Sequence, residues 1–256
     1  MTGAPVSSLD GRPADQPTGG GLVLSAALLA VLPLVAAEAL VAFVDPVAGA
    51  VVHALLLWAL LVGWVRSGDR TLLALALVPL GRVTSLALTF DSTSAGAYAL
   101  AGLPLLVAVV WSYRDMIGWR GRRGRPAWHA VVVALSGIPL GFAVHALVDL
   151  PRAGGMPLVL AAPVVFVFAG VLEELVYRGP VQRVLTRRFG TVGVVLADLL
   201  FTAAYLPTHE AGLILAMAVL GLAAGFYVRQ TLSLTPVAVA HGLLAAGALV
   251  VWPLWG

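Results

Sequence analysis

Two adjacent carboxylates, Glu173 and Glu174, interrupt an apolar run that begins near Pro157, and Arg178 follows one helical turn later. Neighbouring residues on a helix project about 100° apart, whereas residues four positions apart share a face. We therefore expect Glu174 to pair with Arg178 and Glu173 to point in another direction. A carboxylate without a cationic partner in a low-dielectric site can act as a general base toward water. The alternative is a solvated pair of acids at the membrane edge, with no role in chemistry.

A second set of polar side chains follows along the next apolar segment at spacings of four, three and four residues. Its members are Asp198, Thr202, Tyr205 and His209. This spacing places all four on one face of a helix, and such a stripe in lipid must face the bundle interior or a water-filled cavity. It predicts either part of a reactive site or a seam of interhelical hydrogen bonds. Because His209 lies just beyond Pro207, it could instead belong to an outer loop.

A buried histidine and an ion pair complete the polar positions inside the apolar segments. His241 lies about one and a half turns into the final segment, and Glu173 is expected at a similar depth on its own helix. Equal depth on two helices is what a shared site requires, so we predict that the two side chains face one another. In the first half of the chain, Glu38 and Arg82 are expected to pair between helices, since charges inside a membrane pair with one another.

The composition indicates the elements that must position these residues. The 256 residues are 61% hydrophobic and 11% charged, whereas soluble domains are about 45–50% apolar and about 25% charged. About 20 apolar residues cross a bilayer as a helix. The segments that fit are 21–44, 47–65, 71–90, 95–113, 127–149, 157–177, 191–207, 211–228 and 236–254. The sequence thus predicts an all-α, polytopic transmembrane helix bundle of eight or nine spans; the short pair around Pro207 leaves the number open.

The arginines predict the orientation of this bundle. With the N-terminus in the cytoplasm, thirteen of the fifteen arginines lie in cytoplasmic segments, Arg152 lies in an outer loop and Arg82 lies within a span. This distribution follows the positive-inside rule. It predicts a multi-pass protein of the cell membrane, with Glu173 and Glu174 near the cytoplasmic end of their helix. Because the net charge of +3 comes from these arginines, it indicates the lipid bilayer as partner, and no nucleic acid.

The polar breaks predict how the chain is divided. Residues 1–20 are polar and rich in Pro and Gly, which favours a disordered tail. The widest hydrophilic break, 114–126, separates the first four spans from the rest. We therefore assign 21–126 to accessory transmembrane helices and 127–256 to a core that carries the candidate site.

A short amphipathic helix is predicted after the sixth span, over residues 180–190. Its apolar side chains, among them Val184 and Leu185, fall on roughly one side, and its arginines suit lipid headgroups. Pro180 is typical of a first helical turn, and Gly190 is typical of a helix end. The chain has no cysteine, which excludes disulfides and thiolate metal sites.

The run from Glu173 to Arg178, followed by an amphipathic helix, resembles the Glu-Glu-x-x-x-Arg motif of the CAAX protease and bacteriocin-processing (CPBP) family of intramembrane proteases. Two later motifs occur in the family's order. Phe201 to Tyr205 resembles its Phe-x-x-x-His, with tyrosine in the place of histidine. His241 to Ala245 resembles its His-x-x-x-Asn (or Asp), with alanine in the last place. The resemblance covers roughly residues 127–254.

The resemblance implies an intramembrane endopeptidase that cleaves a membrane-associated peptide or protein. It implies that Glu173 activates the attacking water, and that His241 helps to bind this water or to stabilise the oxyanion. Glu174 and Arg178 would be supporting residues.

The two altered motifs leave several alternatives open. Tyr205, or His209 one turn later, would stand in for the missing histidine. The motif does not decide whether a divalent metal such as zinc takes part; its ligands would be Glu173, His209 and His241. Because of Tyr205 and Ala245, a catalytically impaired relative acting as a membrane scaffold, chaperone or immunity protein is the second reading. A third is a small-ion or proton-coupled transporter, but the sequence shows neither an inverted repeat nor a matching pair of helices interrupted by Gly or Pro, which transporters carry.

Overall fold

The computed structural model describes residues 20–87, 94–113, 127–148, 150, 152–153 and 155–254, with side chains from Val31 onward. Within these ranges the chain is helical and contains no extended sheet. The predicted tail lies outside the described residues except for its last position. The same is true of the hydrophilic break at 114–126.

In the described ranges, the first part of the bundle contains four long helices followed by two shorter ones. They are α1 (Gly20–Phe43), α2 (Pro46–Ser67), α3 (Arg70–Ala87), α4 (Ala95–Tyr113), α5 (Ala127–Leu135) and α6 (Gly137–Leu147). α2 begins where Asp45 accepts a hydrogen bond from the backbone N–H of Ala48 at 2.6 Å. It ends at Gly68, whose φ of 69° is left-handed and therefore favours glycine.

The second part, in the ranges described, contains five helices of 12 residues or fewer and one long helix, with irregular turns between several of them. They are α7 (Leu158–Val165), α8 (Leu172–Val176), α9 (Gln182–Phe189), α10 (Val192–Ala203), α11 (Ala211–Thr231) and α12 (Thr235–Ala246). π-helical turns precede and follow α8, at Phe166–Val171 and Tyr177–Val181, and another follows α12 at Gly247–Val251. A 3₁₀ turn, Leu206–Thr208, lies between α10 and α11.

The predicted helical membrane architecture is confirmed. In the described part of the chain, seven helical segments are long and apolar enough to cross a bilayer. They are Pro46–Ser67, Arg70–Ala87, Ala95–Tyr113, Ala127–Leu147, Leu158–Phe189, Ala211–Thr231 and Thr235–Leu254. Two further apolar helices, Val31–Phe43 and Val192–Thr208, are shorter. These nine segments correspond one to one with the nine predicted from the sequence, and the chain is a multi-pass membrane protein.

The helical segment that carries the acidic pair spans Leu158–Phe189, 32 residues in all, but it is bent. The backbone of Gly179 is not helical, so Glu173 lies about one and a half turns before the end of the part that precedes the bend. The amphipathic helix predicted after the sixth span is α9, and its apolar residues Val184 and Leu185 are buried as expected. It is joined to α8 through a kink at Gly179, where ψ is −108°.

α12 is held against two neighbours by close backbone contacts. A Cβ at Gly137 or Gly141 of α6 would meet the backbone of Ala240 or Leu244 on α12. A Cβ at Gly170 would meet the backbone of Gly242. Small residues let membrane helices approach this closely, and the contacts fix the position of His241 relative to α8.

Candidate active site

The acidic pair lies on α8, a five-residue helix between two π turns. π turns inside helices occur frequently at functional sites. The segment contains Leu172, Glu173, Glu174, Leu175 and Val176. All of them except Glu173 are buried, so the two acids have different surroundings despite being adjacent.

Glu174 belongs to a buried ionic network. Its Oε2 lies 3.6 Å from Nε of Arg178, which confirms the predicted pair. Nη2 of the same guanidinium donates to Oδ1 of Asp198 on α10 at 3.0 Å. Arg178 is fully buried, and its Cζ lies 4.6 Å from the centre of the Phe201 ring. The alternative of a solvated pair at the membrane edge is therefore wrong.

A glycine on α11 leaves the space that this network occupies. A Cβ at Gly221 would lie against both Arg178 and Asp198. The guanidinium of Arg178 thus neutralises carboxylates from α8 and α10, and α11 has no side chain at the position that faces it.

Glu174 also orients His241. Its Oε1 lies 3.1 Å from Nδ1 of the imidazole. A carboxylate accepts a hydrogen bond and cannot donate one, so this contact assigns the Nδ1 proton to the imidazole. Nε2 of His241 then points toward Glu173 and Tyr205.

Glu173, Tyr205 and His241 meet at one point. The Tyr205 hydroxyl donates to Oε2 of Glu173 at 2.6 Å and lies 3.5 Å from Nε2 of His241. The Glu173 Oε2 and His241 Nε2 atoms are 3.9 Å apart. The predicted proximity of Glu173 and His241 is confirmed, while their catalytic roles stay a prediction.

The three groups open into a cavity of about 440 Å³. Glu173 has 32% of its side chain exposed, whereas the value for Glu174 is 3%. Polar side chains at the cavity wall include Arg82, Tyr98, Thr208 and Glu210. Ala245, at the family's Asn (or Asp) position, also lines it and offers no polar atom there.

Two of the four residues in the polar stripe predicted along α10 contribute to this site. Asp198 and Tyr205 take part, through Arg178 and Glu173 respectively. His209 does not lie on the same helical face, because α10 ends at Ala203 and a 3₁₀ turn follows. Its ring is exposed and packs edge-on against Phe43, with centroids 5.8 Å apart. The alternative that His209 belongs to a loop is the correct one, and the helical prediction for it is wrong.

The donor set does not fit the metal site considered from the sequence. Among the residues that the structure describes, no three His, Asp or Glu side chains are grouped to hold a metal ion. Nδ1 of His241 already faces Glu174, and His209 points elsewhere. Glu173 and one imidazole nitrogen are two donors, whereas catalytic zinc sites use three protein ligands. We therefore derive no step through a metal.

Sequence reasoning missed a contact that Arg82 makes next to the site. Nη2 of Arg82 donates to the carbonyl of Ala204 at 2.7 Å, at the end of α10 just before Tyr205. The same guanidinium forms the predicted ion pair with Glu38, 2.8 Å away. The signal in the sequence was the place of Arg82 inside an apolar span, where a guanidinium needs several partners.

Comparison with known proteins supports the resemblance of the motifs. Residues 155–247 match the family model described as type II CAAX prenyl endopeptidase Rce1-like. This part of the chain is similar to that family. The match contains all of α8, α10 and α12, so it includes every member of the Glu173–Tyr205–His241 cluster. It supports a CAAX-type intramembrane protease fold in a lipid environment, with a peptide or protein as substrate. No curated protein and no solved structure gives a significant match to the chain.

Proposed function

We propose that the chain is an intramembrane endopeptidase of the cell membrane, in which residues 127–256 form the catalytic core and 21–126 form accessory helices. The observation that carries this proposal is the meeting of a part-exposed carboxylate, an imidazole nitrogen and a phenol at one cavity wall. Glu173 Oε2 lies 2.6 Å from the Tyr205 hydroxyl and 3.9 Å from Nε2 of His241. A hydrolase needs a base, a positioned water and a donor for the oxyanion, and these three groups supply them.

Glu173 is the proposed general base. It takes a proton from a water molecule in the cavity while the water oxygen attacks the carbonyl carbon of the scissile peptide bond. His241 binds this water, because its Nδ1 proton faces Glu174 and Nε2 is left to accept a hydrogen bond. Glu173 then returns the proton to the leaving amine as the C–N bond breaks.

Tyr205 is the proposed donor to the oxyanion. In the free site its hydroxyl donates to the Glu173 carboxylate. When Glu173 takes up a proton, its carboxyl group becomes a weaker acceptor, and the hydroxyl can donate instead to the new negative charge on the carbonyl oxygen. Donors aimed at a developing charge contribute strongly to catalysis. This role gives tyrosine at position 205 a function that needs no metal ligand.

The deciding experiment is cleavage of candidate membrane peptides by the reconstituted wild type and by Glu173→Gln. Glutamine keeps the shape of the side chain but cannot accept the proton. We expect cleavage to fall by about 10²–10⁴-fold, the usual contribution of general base catalysis. Asp69→Asn, which changes a carboxylate between α2 and α3 far from the cavity, is the matched control and should cleave like the wild type. Equal cleavage by Glu173→Gln and wild type would exclude Glu173 as base, and no cleavage by the wild type of any peptide would favour the scaffold reading.

A further inference from the structure

The cavity at Glu173 extends from the site toward one end of the bundle. On α12 its lining residues Ala245 and Leu249 follow His241. On α10 and the connection after it, Thr208 and Glu210 follow Tyr205. The helix of Glu173 runs in the opposite direction. There the cavity is lined by Ala169, which precedes Glu173. All three helices therefore place the cavity on the same side of the reacting groups.

A second cavity, of about 270 Å³, adjoins the first at Glu173. It shares Arg82 and Tyr98 with the first cavity and lies between α3 and α4. Its lining includes Val176 and Tyr177, which follow Glu173, as well as Phe168, which precedes it. This cavity therefore lies beside the reacting groups at their own depth, and the direction of access is given by the first cavity.

The other end of the bundle is occupied by arginines. Asp69, between α2 and α3, pairs there with Arg188 of α9 at 3.4 Å, and the Tyr113 hydroxyl at the end of α4 donates to the carbonyl of Arg70. Arg66, Arg183, Arg187 and Arg229 lie on the same helix ends. At the opposite end, among the described residues, the connections hold one arginine, Arg152. By the positive-inside rule the arginine-rich end is cytoplasmic.

The side of His241 that faces the arginine-rich end is apolar. A cavity of about 270 Å³ there is lined by Glu174 and His241 at its inner limit, and by side chains such as Leu220, Ala224 and Val237. Glu173 is not among its lining residues. The acid that meets His241 on this side is the buried Glu174, and the base Glu173 lines the cavity of the opposite side.

We propose that substrate reaches Glu173 from the extracytoplasmic side, through a mouth at Thr208 and Glu210. The substrate class that fits is an extended segment of an exported or membrane-anchored polypeptide lying at that face. This inference rests on the proposed function for its substrate, but the direction of access is a property of the cavity and can be measured without any cleavage assay.

The test uses the absence of cysteine from the natural chain. Single cysteines are placed in the full-length protein at Thr208, at the mouth, at Leu249, which lines the cavity and is only half-buried, and at Ser67, which is exposed at the arginine-rich end. Ala238→Cys is the matched control on α12, because Ala238 is 1% exposed. Each variant is treated with a small, charged, membrane-impermeant methanethiosulfonate in right-side-out and in inside-out membrane vesicles.

We expect Thr208→Cys and Leu249→Cys to react in right-side-out vesicles and Ser67→Cys in inside-out vesicles, with Ala238→Cys unreactive in both. Failure of Leu249→Cys to react from outside, or its reaction only in inside-out vesicles, with Thr208→Cys still reacting from outside, would overturn the proposed direction of access. Reaction of Thr208→Cys only in inside-out vesicles would overturn the orientation and hence the proposal. Either result is independent of whether Glu173→Gln abolishes cleavage, so failure of the access route and failure of the proposed function are distinguishable.

Discussion

The bundle contains two buried clusters of charge, one in each half of the chain. In the first half, Arg82 pairs with Glu38 at 2.8 Å, and His53 lies 3.7 Å from the same carboxylate. In the second half, Arg178 lies between Glu174 and Asp198. Each cluster has one guanidinium that compensates acids removed from water, which is what charges inside a membrane require.

The clusters differ in what lies next to them. Glu38 has 1% of its side chain exposed and has no second acid beside it in sequence. The cluster of Arg178 has Glu173 beside it, with its side chain turned into the cavity and no arginine partner within ion-pair distance in the described structure. A buried ion pair by itself thus indicates a role in stabilising the fold or orienting a side chain. A part-exposed acid next to such a pair, such as Glu173, indicates a role in catalysis. Substitutions in the two clusters can test this distinction.

Arg178→Met should have the largest effect on stability. The substitution leaves Glu174 and Asp198 buried without their cation, and removing one partner of a buried pair costs about 3–5 kcal/mol. Cleavage should be lost as well, because Glu174 no longer holds His241 in position. The measurement is the free energy of unfolding in detergent. Arg187→Met, on the exposed face of α9, is the control and should change stability by no more than about 0.5 kcal/mol; an equal loss for both would contradict the network.

Arg82→Leu should destabilise by about 3 kcal/mol, the lower end of the range for a buried pair, since its side chain is 15% exposed. Adding Glu38→Leu should restore most of this loss, because apolar residues of similar volume often replace a buried ion pair without cost. The corresponding double variant Glu174→Leu/Arg178→Leu should not recover, since Asp198 and His241 would both lose a partner. If both double variants regained the same share of the unfolding free energy, the two clusters would not differ in the way proposed.

Tyr205→Phe should affect cleavage more than stability. Loss of one donor to an oxyanion typically lowers the rate by about 10²-fold, while loss of one hydrogen bond costs about 1 kcal/mol of unfolding free energy. Tyr113→Phe is a matched control, because its hydroxyl donates to a carbonyl at the arginine-rich end, far from the cavity. Cleavage by both variants is compared at saturating peptide. A similar rate for Tyr205→Phe and wild type would restrict Tyr205 to a structural role.

The contact between Asp69 and Arg188 should have the smallest effect. The backbone N–H of Thr71 donates to Asp69 at 2.8 Å and holds the pKa of this carboxyl below its usual range, with Arg188 adding to the shift. Because the folded pKa is the lower one, the stabilisation is present above the unfolded pKa and is lost as the pH falls through the folded value. For a contact this exposed it is at most about 1 kcal/mol. The difference in unfolding free energy between wild type and Asp69→Asn should therefore vanish in acid; a constant difference would contradict the assignment.

Features that depend on spacing along one helix were predictable from the sequence. Hydropathy placed all nine apolar helices, and the i,i+4 spacing gave the Glu174–Arg178 pair. Equal depth, together with the family motif, placed Glu173 near His241. Each of these inferences uses only positions within a helix or depth in the membrane.

Features that depend on the rotation of one helix against another were not predictable. Arg178 has a second carboxylate partner, Asp198, which lies on another helix. The hydrogen bond from Arg82 to the carbonyl of Ala204 likewise joins α3 to the end of α10, between residues 122 positions apart in the sequence. His209 was placed on the α10 face because its spacing is helical, although Pro207 was a signal that the helix would end. Nothing in the sequence marks the π turns beside α8.

These π turns have a consequence for the geometry of the acidic pair. A π turn contains more residues than the α turn that it replaces, so each one changes the angular phase of the side chains between its two flanks. Gly170, inside the first π turn, keeps its backbone contact with Gly242, while Glu174, one turn later, still faces His241 from the same helix. Deleting a single residue from Phe166–Val171 should therefore preserve a continuous helix but rotate Glu174 relative to Gly170. Either the Gly170–Gly242 contact or the Glu174–His241 contact could then face α12, but not both.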